Sequence, residues 1–231
     1  MLMSANIPSK DYRTLGYVIR RTNYGEADRI LNIITPLGKK TVIAKSVRKS
    51  KSKLAGNIEL FSRIDFNIHQ GKSEFGVVTG AKMLKFNENI LKEMPRTELA
   101  GKIFKAISRA AESADNPEFY EITDQCLTEI NDGTNLNLVE TWFLLNLDRA
   151  SGAEVNLYRD SRGELLKEDK KYDYNGQEEV FYENLTGEFG ANEIKMLRLC
   201  YKAKLKVAKK VRLSDEVLMK MLFFARTVNN L

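Results

Sequence analysis

Residues 15–47 read LGYVIRRTNYGEADRILNIITPLGKKTVIAKSV, three β-rich runs separated by two short turns. In the first turn, Asn23-Tyr24-Gly25, the glycine is free to take positive φ; Pro36-Leu37-Gly38 forms the second. The third run alternates, with Lys39, Thr41, Ile43 and Lys45 on one side and Val42, Ala44 and Ser46, with Lys40, on the other. Downstream, IELFSRIDFNIHQ puts Ile58, Leu60, Ser62, Ile64, Phe66 and Ile68 on one face, which is the period of two of a half-buried strand. The tripeptide GKS then turns the chain into EFGVVTGAKMLKF. Five short strands with one longer irregular connection, between the third and fourth, predict a small Greek-key barrel of the OB type, because closure removes exposed edges. An SH3-like barrel fits the same pattern second best.

After Phe86 the period changes to 3.6. RTELAGKIFKAISRAAESA places Leu99, Ile103, Ala106, Ile107 and Ala110 on one stripe. Asn116-Pro117 breaks the chain, and the proline suits the first turn of the next helix. NLVETWFLLNLDRAS is nearly all apolar and is expected at the centre of the helical part, with Trp142 in its core. Residues 153–190 are acidic, with hairpin character around Asn175-Gly176, and read as a small inserted loop or β element. Two final helices are expected over 192–210 and 214–229, the second capped by Ser214. The predicted class is therefore α+β with two domains: an OB-type barrel over 1–85 and a helical domain over 86–231 that carries the 153–190 insertion.

Charge divides the chain at the same place. Residues 1–85 hold sixteen Lys/Arg against six Asp/Glu, whereas the remainder has a small acidic excess. Gly38–Asn57 holds seven basic residues and no acid. Past Val47 no apolar anchor occurs until Leu54, so RKSKSK is expected to be exposed, and mobile without a ligand. Such asymmetry marks a surface for a polyanion, most often nucleic acid. The candidate binding residues are Arg20, Arg21, Tyr24, Arg29, Lys39, Lys45, Arg48, Lys49, Lys51 and Lys53. Tyr24 and, with an orientation the alternation leaves open, Phe61 are candidates for stacking on bases. A second basic set, Lys195, Arg198, Lys202, Lys206 and Lys209, lines up on one face if its helix is continuous. It reads either as a solvated helix face or as a further site for DNA or an acidic peptide.

Other chemistry is not indicated. Cys126 and Cys200 lie among helix-periodic apolar residues and read as buried thiols. His69, the lone histidine, sits at an expected strand end without a companion ligand. No phosphate-binding glycine loop, metal-ligand spacing or nucleophile–base pair occurs, so a binder is expected, not an enzyme, with no cofactor, no metal and no small-molecule substrate. The first fourteen residues lack the apolar core of a signal peptide, and no apolar run is long enough for a membrane span. A cytoplasmic protein without membrane partners is expected.

The stretch from Gly16 to Ile68, with its YGE turn (Tyr24–Glu26), its TPLG turn (Thr35–Gly38), the basic run from Ala44 to Ser52 and the KLAG that leads into a long strand, resembles the N-terminal domain of the RecO family of bacterial recombination mediators. LVETWFLLNLDRASGAEVNL (Leu138–Leu157) is similar to that family's central helix and following loop. The resemblance implies an OB-fold that binds single- and double-stranded DNA and anneals complementary strands. It further implies partnership with RecR, recognition of the acidic C-terminal tail of single-stranded-DNA-binding protein, help in loading RecA, and a nucleoid-associated location. Some family members carry a four-cysteine zinc site after the central helix. Residues 155–184 contain no cysteine here, so that element must rest on Tyr158, Tyr172, Tyr174, Phe181 and Tyr182. The same basic barrel also fits an RNA- or ribosome-associated protein, and the helical part fits a protein adaptor.

Overall fold

A computed structural model describes residues 10–114 and 116–230, so residues 1–9 of the N-terminal stretch read for a leader lie outside the described residues. The chain forms two compact units, up to Leu127 and from Thr128 onward.

In the first unit five strands pair in the order β1 (Lys10–Tyr24), β2 (Asp28–Thr35), β3 (Gly38–Ala44), β5 (Gly76–Phe86) and β4 (Ser62–Gln70), with β4 returning to β1. This is the five-stranded OB-type arrangement that the alternation predicts. The ring is thinnest between β3 and β5, which meet in parallel only at Val42–Gly76 and Ile43–Val77. The long first strand makes closure possible. Its N-terminal half pairs with β4 and its C-terminal half with β2, and a bulge between Val18 and Arg20 bends it from one neighbour to the other. Gly16 sits at the crossover. A Cβ there would lie 2.9 Å from the carbonyl oxygen of Ile34, so no larger residue fits without backbone movement.

Val18, Leu31, Ile33, Val42, Ile64 and Phe66 fill the interior. The period-two set on the fourth run does point inward, with Ile58, Ser62, Ile64, Phe66 and Ile68 all buried. The strand begins later than the pattern suggests, however. Ala55–Asn57 form a 3₁₀ turn, and Phe61 adopts a left-handed φ of 62°, so pairing starts only at Ser62. Alternation reports which side chains are buried and does not detect a single left-handed residue that interrupts the ladder.

Two helices complete this unit, α1 (Met94–Ser113) and α2 (Glu118–Asn131), the latter running into the second unit. Leu99, Ile103 and Ile107 of the expected stripe are buried on α1, joined by Ala100 and Phe104, while Ala106 and Ala110 are half-buried. Tyr17 donates its hydroxyl to Asp124 of α2 at 2.7 Å, and Arg63 of β4 lies 3.8 Å from the same carboxylate. Burial, followed by the Asp124 charge, pushes the Tyr17 phenol far up, so it remains a donor.

The second unit is built on α3 (Leu136–Ala150), whose near-continuous apolar sequence is buried on most sides. Asn135 caps it by accepting from the amides of Asn137 and Leu138. Trp142 is in the core as expected and donates to the Ala203 carbonyl at 2.8 Å. The insertion carries the hairpin of β6 (Tyr172–Asn175) and β7 (Val180–Glu183). The helices α4 (Ala191–Lys202), α5 (Leu205–Ala208) and α6 (Asp215–Val228) follow, and Ser214 caps the last by accepting from the Val217 amide. The single helix expected over 192–210 is not formed. It breaks at Ala203, which adopts an extended conformation (φ −100°, ψ 160°) between α4 and α5.

Candidate nucleic-acid interface

The basic run leaves β3 at Ala44 and reaches β4 at Ser62. Its start is fastened to the β1–β2 turn. Ser46 takes a left-handed φ of 54° and donates its amide to the Asp28 carboxylate at 2.7 Å, and the Arg48 amide donates to the Ala27 carbonyl at 2.8 Å. Val47 is buried between these two contacts. Lys49 donates to Ser46 and Ser52 to Lys49, which folds the middle into successive turns. At the far end Asn57 donates its side-chain amide to the Lys53 carbonyl and accepts from the Met83 amide of β5. The segment expected to be mobile is thus hydrogen-bonded at its two ends. Local turns and side-chain acceptors, which hydrophobic spacing does not register, tie the backbone to the barrel at both ends.

The side chains behave differently from the backbone. Lys45, Arg48, Lys49, Lys51 and Lys53 are all exposed, and none has a carboxylate partner among the described residues. The Arg48 guanidinium donates to the Gly25 carbonyl at 3.2 Å, which fixes it against the turn carrying Tyr24, itself 53% exposed. Gly25 has a φ of 53°, as that turn requires. Arg29, on the same hairpin, donates to Asn23 at 3.3 Å. The loop and the hairpin therefore place Tyr24, Arg29, Lys45, Arg48, Lys49, Lys51 and Lys53 at one end of the barrel.

The remaining sequence candidates lie elsewhere. Arg21 pairs with Glu59 at 2.7 Å. Lys39 turns toward α1, where its ammonium donates to the Ser108 carbonyl at 3.1 Å, the Ser108 hydroxyl at 3.3 Å and Glu112 at 3.0 Å, with only 15% of its side chain exposed. Arg20 is exposed in a cleft between β1 and α1, together with Lys105 and Arg109. Sequence reasoning missed those two. Their i, i+4 spacing was visible, but not that Arg20 faces the same cleft. Phe61 does not stack on a ligand from the surface: it is 6% exposed and stacks on Phe104 at a ring separation of 5.3 Å.

The second basic set is dispersed by the break at Ala203. Lys195 pairs with Glu168 at 2.7 Å, and Lys209 pairs with Glu129 at 2.7 Å. Arg198 donates to the Leu157 carbonyl, and both Arg198 and Lys202 lie over the Tyr158 ring, 4.6 and 4.8 Å from its centroid. Lys206 alone is exposed without a partner among the described residues. One basic helix face is therefore absent, and most of these cations fasten the insertion and the end of α2 to their surroundings.

The insertion itself is held by aromatic packing. Tyr172, Phe181, Phe189 and Phe224 are buried; Phe181 stacks on Phe224 at 5.5 Å, and Tyr174 meets Phe224 edge-on at 4.6 Å. Tyr182, expected in this cluster, is exposed on the outer side of β7, and Phe189 takes its place. Arg162 joins Asp160 and Glu183, and Lys170 reaches Glu183 at 2.6 Å. Hydrogen bonds from Lys170 and then Arg162 hold the Glu183 carboxyl below the usual carboxylate range. Among the described residues no three His, Cys, Asp or Glu side chains are placed to hold a metal, and no helix is long and apolar enough to cross a membrane.

The first unit is thus an OB-type barrel with a cationic loop at one end. Residues 9–87, the barrel of the first unit, match the family described as Recombination protein O N terminal. The chain is 34% identical over 149 residues to a protein of Dehalococcoides mccartyi named DNA repair protein RecO, a match covering 64% of this chain and 58% of that protein. Identity to the protein of the same name from Roseiflexus sp. is 34% over 148 residues, covering 64% and 52%. With that of Listeria monocytogenes it is 30% over 134 residues, covering 57% and 52%. The matched region thus spans little more than half the length of these relatives.

Proposed function

We propose that this chain is a non-catalytic DNA-binding protein of repair and recombination, which holds strands by their phosphates on the Lys45–Lys53 loop and helps complementary strands to pair. The observation that carries this reading is the loop itself: five exposed cations without carboxylate partners, on a backbone hydrogen-bonded to the barrel. Charges so close together repel one another, and a polyanion relieves that repulsion. Each cation that meets a phosphate releases condensed counterions, so affinity accumulates without sequence preference. Neutralising the phosphates of two strands lowers their mutual repulsion, and pairing then proceeds without an energy source. Tyr24 offers an exposed ring to an unpaired base.

The names of the relatives support the repair and recombination setting, and the family resemblance adds RecR, single-stranded-DNA-binding protein and RecA loading as partners and outcome. A cleft of about 480 Å³ in the second unit supports docking of an acidic, apolar tail, since Arg212 borders the apolar side chains of Met196, Leu199, Val211 and Leu213. The test is annealing of complementary oligonucleotides covered with single-stranded-DNA-binding protein, with and without its tail. Acceleration that depends on the tail is expected. A preference for RNA without DNA annealing would favour an RNA-associated role and overturn the proposal.

A further inference from the structure

The cleft between β1 and α1 is about 480 Å³ and lies wholly within the first unit. Its floor is apolar, made by half-buried Leu60 together with the largely buried side chains of Ile19, Phe61 and Phe104. Its rim carries Arg20, Lys105 and Arg109, all exposed and without a carboxylate partner among the described residues. The lone acid on the rim, Glu112, is engaged by Lys39 at 3.0 Å. Lys105 and Arg109 stand one helical turn apart, so their charges project side by side. Gly101 opens the helix wall of the cleft. A Cβ added there would meet nothing within 4 Å, so no packing demand inside the chain explains a residue that weakens a helix relative to alanine. The cleft also adjoins the basic loop, whose last residues before β4 are Leu60 and Phe61.

We propose that this cleft is a second strand track. It takes one single nucleic-acid strand, with phosphates on Arg20, Lys105 and Arg109 and a base laid over the apolar floor beside Gly101. The Lys45–Lys53 loop holds the complementary strand. This rests on the DNA-binding reading of the loop and adds to it where the partner strand goes. The net positive rim selects a polyanion. The apolar floor selects an unpaired strand, because a base stacked inside a duplex has no free face to offer it. Two tracks on one compact unit hold two strands near each other, which one phosphate-binding loop does not do.

The experiment uses the full chain and two independent variants, the charge reversal Lys105→Glu/Arg109→Glu and the steric block Gly101→Gln, each checked for folding by circular dichroism. Binding of a labelled oligothymidine is measured by anisotropy, and annealing of complementary oligonucleotides by energy transfer. Both variants are expected to lose the cleft-bound oligothymidine, read as about half the parent's binding stoichiometry with the loop-bound strand retained, and to anneal at least about tenfold more slowly. Annealing at the parent rate in either variant overturns the proposal. So does a charge-reversal variant that anneals normally but no longer binds a phenylalanine-containing acidic peptide, because the cleft is then a peptide dock. Loop variant Arg48→Ala/Lys49→Ala/Lys51→Ala/Lys53→Ala is run beside them. If it binds and anneals like the parent, the loop reading fails, whatever the cleft variants do.

Discussion

Replacing Lys39 by methionine separates a structural cation from a binding one. The apolar stem is kept while the ammonium, with its contacts to the Ser108 carbonyl, the Ser108 hydroxyl and Glu112, is lost. Hydrogen bonds that involve a charged group contribute about 1.5–3 kcal/mol, and a pair with an exposed carboxylate such as Glu112 adds about 0–1 kcal/mol. Methionine recovers part of this by packing against α1, so a net loss of about 2 kcal/mol is expected. For a chain of this size that lowers Tm by about 4–8 °C. Affinity for a labelled oligonucleotide at fixed salt should stay within about twofold of the parent, because the amine is turned away from the loop. Thermal scanning and anisotropy on the same preparations provide both readouts. An unchanged Tm with binding weakened about tenfold would refute the assignment and return Lys39 to the DNA surface.

Further outcomes follow from individual sites. Tyr24→Ala should weaken binding to single strands by about 1–3 kcal/mol, read by anisotropy, and leave Tm and duplex affinity alone, since the ring is exposed. Adding a chelator should not change the melting curve, whereas Phe181→Ala should cost about 3–5 kcal/mol, because Phe181 is buried and stacks on Phe224 in the packing of the insertion. Asp148 accepts from Asn229 at 2.7 Å, yet burial, only partly offset by that bond, pushes its carboxyl up to about 6. A raised folded-state value means that the protonated form favours folding, and this contribution is lost as pH rises from about 4 through 6. Asp148→Asn should therefore raise Tm at pH about 7.5 and leave it nearly unchanged at pH about 4.

The barrel was legible because the apolar residues of β4 recur with a period of two on its buried face and its turns are marked by Gly25 and Gly38, both with positive φ (53° and 84°). The helical cap at Ser214 was legible for a similarly local reason: a short polar side chain accepts from a first-turn amide. Contacts between residues distant in sequence were not. Nothing local distinguishes Lys39, bound to Ser108 and Glu112, from Lys45 in solvent six residues later. The same holds for the stripe from Lys195 to Lys209. Its spacing is that of one helix, but the extended turn at Ala203 splits it, and Tyr158, Glu168 and Glu129 then recruit its members. Phe61 followed neither face of the alternation because its left-handed backbone aims the ring at Phe104.

The account stands most directly on the salt dependence of binding. Oligonucleotide affinity is titrated across a range of salt for the parent and for Arg48→Ala/Lys49→Ala/Lys51→Ala/Lys53→Ala. Removing four of the five loop cations should make the fall of log K against log salt shallower by about 2.8 in the variant than in the parent, at about 0.7 per phosphate contact on single strands. Near about 0.15 M salt that difference corresponds to roughly 200-fold in affinity, and it should vanish toward about 1 M. Equal slopes in the two proteins would contradict the claim that this loop holds the phosphate chain.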